Sequence, residues 1–101
     1  MCQCEVSFQV GSIVATQAVH EVTENNEQFK AFVLSSLQRH LRGDWGDLCD
    51  ADKELNNHSL TSEAVGRLFS MYECSFDAAL KIYIITEWTR ECTTILFPSD
   101  Y

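Results

Sequence analysis

Hydrophobic positions along this chain change their period twice. Val6, Phe8 and Val10 alternate with Ser7 and Gln9 in the two-residue period of a half-buried strand, and Ile13-Val14-Ala15 continue it beyond a bend at Gly11-Ser12. From Thr16 onward the period lengthens. Thr16 is placed to cap a short helix from Gln17 to Glu24, and Asn25-Asn26 separates it from a longer helix running from about Glu27 to Leu41. Phe29, Phe32, Val33, Leu37 and Leu41 recur at spacings of three and four on one stripe of that helix, and Gly43 stops it. Asp50 to Leu60 reads as a third, short helix with Leu48, Ala51 and Leu55 apolar, carboxylates near its positive end, and Asp47 or Asp50 as its cap. Thr61 to Gly66 reads as a loop.

In the last third the period shortens again. Arg67 to Cys74, Lys81 to Trp88 and Thr93 to Phe97 are rich in β-branched and aromatic residues, with gaps suited to hairpins. The run Lys81 to Trp88 is apolar on both faces over much of its length, which places it centrally in a meander, and Pro98 ends the final strand. Strand, three helices and three strands predict an α+β fold, with a three- to four-stranded antiparallel sheet and two to three helices packed on one face. A chain of 101 residues supports one core, so residues 1–101 form a single domain. No internal repeat or linker divides it.

Composition narrows the function classes. A formal charge of −8 disfavours nucleic acid as a direct ligand, because phosphates reward lysine and arginine, and leaves solubility or a basic protein partner as its meaning. No apolar run reaches the ~20 residues a membrane span needs, and Met1-Cys2-Gln3-Cys4-Glu5 lacks the character of a signal peptide, so the expected location is the cytoplasm. Cys2, Cys4, Cys49, Cys74 and Cys92 are odd in number and irregular in spacing, which favours small hydrophobic side chains over disulfides or a zinc site.

The densest polar stretch is Arg39-His40-Leu41-Arg42-Gly43-Asp44-Trp45-Gly46-Asp47, where a helix runs into a glycine-flanked loop. His40 falls near the middle of the apolar stripe, which favours a core histidine bonded to backbone or to a neighbouring carboxylate. Asp44 and Asp47 read first as turn and cap residues, and Trp45 as a ring packed over the sheet. The catalytic alternative has His40, Asp44, Asp47 and Glu87 converging to bind a divalent ion or share a proton. A four-residue loop from Thr89 to Cys92 would place Trp88 opposite Thr93 and Glu87 opposite Thr94, and gather Glu87, Thr94 and Arg90 into one polar cluster able to latch the GDWGD loop onto the sheet. Trp45, Trp88 and Arg90, with Asp44 and Glu87 beside them, are the candidate contact residues for a protein partner. Tyr83 and Trp88 read as sheet packing, since the basic groove of a single-strand binder is missing.

Taken together, Gly11-Ser12-Ile13-Val14-Ala15-Thr16, Arg39-His40-x-x-Gly43-Asp44-Trp45-Gly46-Asp47, Asp52-Lys53-x-x-Asn56, Arg67-Leu68-x-Ser70-x-Tyr72, Ile84-Ile85-Thr86-Glu87 and Arg90-x-x-Thr93-Thr94-Ile95-Leu96-x-Pro98 with Tyr101 give the chain a family likeness. It resembles small bacterial proteins of plasmids and other mobile elements, labelled as plasmid-related proteins or, by neighbourhood, as restriction-enzyme subunits. The family pattern has Ala-Asp where this chain has Trp88-Thr89, which removes a carboxylate beside Arg90. The resemblance implies no reaction and no cofactor. Together with the negative charge, the small size and the absence of a recognisable catalytic motif, it leads to the expectation of a non-enzymatic module that binds a host or phage DNA-processing or defence complex, an anti-restriction or anti-CRISPR-type inhibitor included. A metal-assisted hydrolase built on the His40 cluster is the alternative, and monomer and homodimer are both open.

Overall fold

The computed structural model describes residues 11–60 and 66–101. The expected strand at Val6–Val10 lies outside the described residues, as does most of the expected Thr61–Gly66 loop.

The elements follow in the order β1 (Ser12–Ala15), α1 (Gln17–Asn25), α2 (Glu27–Leu41), α3 (Asp50–Ser59), β2 (Leu68–Tyr72), β3 (Ile82–Thr86) and β4 (Cys92–Leu96). Local chemistry sets the first boundaries. The Thr16 hydroxyl accepts from the Val19 amide at the start of α1, and the Asn26 side chain accepts from the Phe29 amide at the start of α2. Gly43, at φ 82°, turns the chain out of α2. At α3 the expected cap fails: the capping position is Cys49, which supplies no side-chain bond, Asp50 is already the first helical residue, and the Asp47 carboxylate is engaged by the Glu73 amide.

The fold is α+β, and among the described residues four strands form one sheet in the order β1-β4-β3-β2. The β2-β3-β4 meander is antiparallel as expected. β1 corrects the picture, because it pairs with β4 in parallel and makes the sheet mixed. The reason is topological: α1 to β3 all lie between β1 and β4 in the chain, so the strand can enter from the same end as its partner.

Alternation sends Leu68, Ser70, Tyr72, Ile82, Ile84, Thr86, Thr93 and Ile95 to one face, where they are buried beneath α1 and α2. Val19, Phe29 and Val33 complete this core with Tyr72, Ile82, Ile84 and Ile95. The third helix does not share that face. α3 lies along the outer edge of β2, where the Asn56 side chain accepts from the Phe69 amide (3.1 Å) and donates to the Phe69 carbonyl (2.6 Å), as a neighbouring strand would.

Candidate functional site

The Arg39–Asp47 junction grows outward from the last turn of α2. Once Gly43 has turned the chain, the Asp44 amide returns to the Arg39 carbonyl at 2.9 Å. The Asp44 carboxylate receives the Arg39 guanidinium at two points, 2.8 and 3.2 Å, and the Gly46 amide at 3.2 Å. This pairing holds the Asp44 carboxyl below its ordinary pKa and raises that of Arg39, in both cases chiefly through their shared hydrogen bonds. Arg39 also lies over the Tyr72 ring at 4.9 Å, and the Tyr72 hydroxyl donates to the Asp44 carbonyl at 2.6 Å. Burial raises the Tyr72 pKa.

Beyond Asp44 the loop becomes a short addition to the sheet. Gly46 bridges Met71 in parallel, the Met71 amide donates to the Trp45 carbonyl, and the Asp47 amide donates to the Met71 carbonyl. Gly46 is required here: its φ is 83°, and a Cβ would stand 2.0 Å from the Met71 carbonyl oxygen. The Asp47 carboxylate accepts from the Glu73 amide at 2.9 Å, closing the end of β2.

His40 is fully buried in the last turn of α2. Its Nδ1 is 2.5 Å from the Ser70 hydroxyl and its Nε2 is 2.9 Å from the Thr86 hydroxyl, which in turn meets the Thr93 hydroxyl at 2.8 Å. Trp45 stands edge-on to the imidazole at 5.6 Å. Burial lowers the His40 pKa to about 4, so the ring is neutral near pH 7. The partners differ from the backbone or carboxylate that the helix stripe suggested: hydroxyls meet both ring nitrogens.

The predicted site residues are therefore spread over separate structural tasks. Asp44 holds Arg39, and Asp47 closes β2. Glu87 is exposed at the β3-β4 turn, and His40 lies beneath the sheet. Trp45 is 3% exposed and donates through Nε1 to the Asn57 side chain at 3.0 Å, which removes it from the contact surface. Trp88, 63% exposed at the hairpin tip, stays on that surface.

The expected Glu87–Thr94–Arg90 cluster does not form, because the hairpin register differs by two residues. Thr86 pairs with Thr93, and the Glu87 amide donates to the Cys92 carbonyl, leaving Trp88 to Glu91 as the turn. Arg90 sits at φ 63° within it. Its guanidinium does not reach the GDWGD loop but donates to the carbonyls of Gly66 (2.7 Å), Ser59 (3.0 Å) and Glu87 (3.1 Å), tying the end of α3 to the start of β2. Among the described residues, no group of three His, Cys, Asp or Glu side chains is placed to hold a metal ion.

A different surface emerges on the second face of the sheet. Between α3 and β2-β3 runs a groove of about 540 Å³, with Leu48 and Leu55 on the helix side and Phe69, Tyr83 and Tyr101 on the sheet side. Asp52 and Arg67 supply its charges. Tyr83 packs on Phe69 across the sheet, as expected, and the same ring also lines the groove, which was not expected. The available signal was parity: Phe69 and Tyr83 occupy the positions that alternate with the core-facing residues of β2 and β3.

Fold and site together define a small α+β protein with a mixed four-stranded sheet, a hydroxyl-bound core histidine and an aromatic groove between its third helix and the sheet. Compared with family models, curated proteins and solved structures, the chain finds no match in any of the three.

Proposed function

We propose that this chain is a small, non-enzymatic protein-binding module that acts on a host or phage DNA-processing or defence complex, as an anti-restriction or anti-CRISPR-type inhibitor would. The observation that supports this most is the aromatic groove, set in a protein whose charge of −8 favours a basic partner. The hydrolase alternative draws no comparable support. Its histidine is buried against hydroxyls, and two of its three carboxylates are engaged in closing the loop and the end of β2.

The test is capture of partners from bacterial cells expressing the tagged chain, followed by assay of whatever complex is recovered. Stoichiometric recovery of a DNA-processing or restriction subunit, with its activity reduced by added protein, is the expected result. Recovery of chaperones alone, or of a complex whose activity is unchanged, overturns the proposal.

A further inference from the structure

The groove carries more detail than its volume. Phe69 and Tyr83 have ring centroids 4.7 Å apart, so they touch and form a continuous platform with no hollow between them for an ammonium group. Tyr101 rests on this platform, edge-on to Phe69 at 6.3 Å and to Tyr83 at 6.0 Å, while remaining 66% exposed. Arg67 stands 5.3 Å from the Tyr101 ring centroid and donates to its hydroxyl. The chain thus displays, with its own tyrosine, how an aromatic side chain seats there.

The groove is also polarised. Ser59 lines it beside Arg67, because the Ser59 and Gly66 carbonyls both receive Arg90. Asp52 lies seven residues earlier on α3, about 10 Å along the axis, so a carboxylate and a guanidinium mark opposite ends of an apolar floor.

We infer that this groove is a docking site for a short segment of a protein partner. An aromatic or leucine side chain of that segment displaces the exposed Tyr101 and takes its place on the Phe69–Tyr83 platform, a basic residue meets Asp52, and an acidic residue meets Arg67, which the departure of Tyr101 releases. The inference rests on the protein-binding reading and adds the chemistry of the segment bound. Single-stranded nucleic acid would also find rings to stack on, but its phosphates would face a net charge of −8.

The test uses a phage-displayed library of random dodecapeptides, panned against the wild-type protein and against the double variant D52K/R67E. Enriched peptides are then measured by fluorescence anisotropy on the wild type, on Leu55→Glu in the groove wall, and on Leu34→Glu, an exposed position on α2, as a remote control. Both leucines are exposed, and thermal melts check that the variants stay folded. The expected consensus is an aromatic or leucine residue with a basic residue on one side and an acidic one on the other, the two charges exchanged for the double variant. Leu55→Glu weakens binding about tenfold or more, and Leu34→Glu leaves it unchanged. Peptides that bind all variants equally overturn the groove assignment while leaving a protein-binding module intact. Failure to enrich any consensus overturns the inference, and the capture experiment then judges the broader reading by itself. Tighter binding of a fluorescent oligothymidine than of any peptide overturns both.

Discussion

A histidine sealed between two hydroxyls has to stay neutral to stay buried, and this makes His40 a source of acid sensitivity. Its pKa falls from an unfolded value near 6.5 to about 4 in the fold, so between these values the unfolded chain holds the extra proton. The contribution to stability is complete above pH 6.5 and is lost as the pH falls toward 4. Between pH 7 and pH 4.5 the loss is roughly 2 to 3 kcal/mol. Urea unfolding at those two pH values measures it, with His40→Gln as the non-titrating reference in which carboxylate effects are shared. Equal losses in the two proteins would remove His40 as the cause. The burial of His40 was legible from its place on the helix stripe. Its partners were not, because Ser70 and Thr86 stand 30 and 46 residues away and reach it only once the β2-β3 register is set.

Elements join where backbone conformation is unusual. Ala at Gly46 would meet the Met71 carbonyl and force a side chain into positive φ, so Gly46→Ala is expected to cost at least ~2 kcal/mol in denaturant unfolding. Asn56→Ala strips the Phe69 amide and carbonyl of their side-chain partners and should cost about 1 to 3 kcal/mol by the same measurement. At the β3-β4 turn, Arg90→Ala loses three carbonyl contacts and keeps an unfavourable φ, whereas Arg90→Gly loses the contacts alone. The glycine variant should therefore be the more stable of the two by about 1 kcal/mol. These joints explain what the sequence hid. Helix starts at Gln17 and Glu27 were readable because Thr16 and Asn26 act on amides three residues away. The hairpin register was misplaced by two residues because nothing in the identity of Arg90 announces a left-handed backbone. The parallel pairing of β1 with β4 spans most of the chain and leaves no local mark.

For the whole molecule, charge and sheet edges set the terms of association. A chain of charge −8 draws a basic partner through long-range attraction that salt screens. Its association rate with the proposed partner is expected to fall severalfold from ~50 to ~300 mM salt, with dissociation less affected. Stopped-flow mixing at the two salt concentrations checks this, and an unchanged association rate would argue that apolar contact alone guides the encounter. The groove leaves no trace in local sequence for a reason at this same scale, since it exists only through the placement of α3 on the β2 edge, apart from α1 and α2. That placement has a second consequence. Among the described residues, β2 is closed by Asn56 and by the backbone of Trp45 and Asp47, so a strand from another copy adds there only by first displacing those bonds. The β2 side is thereby guarded against the edge-to-edge joining through which sheets propagate into fibres.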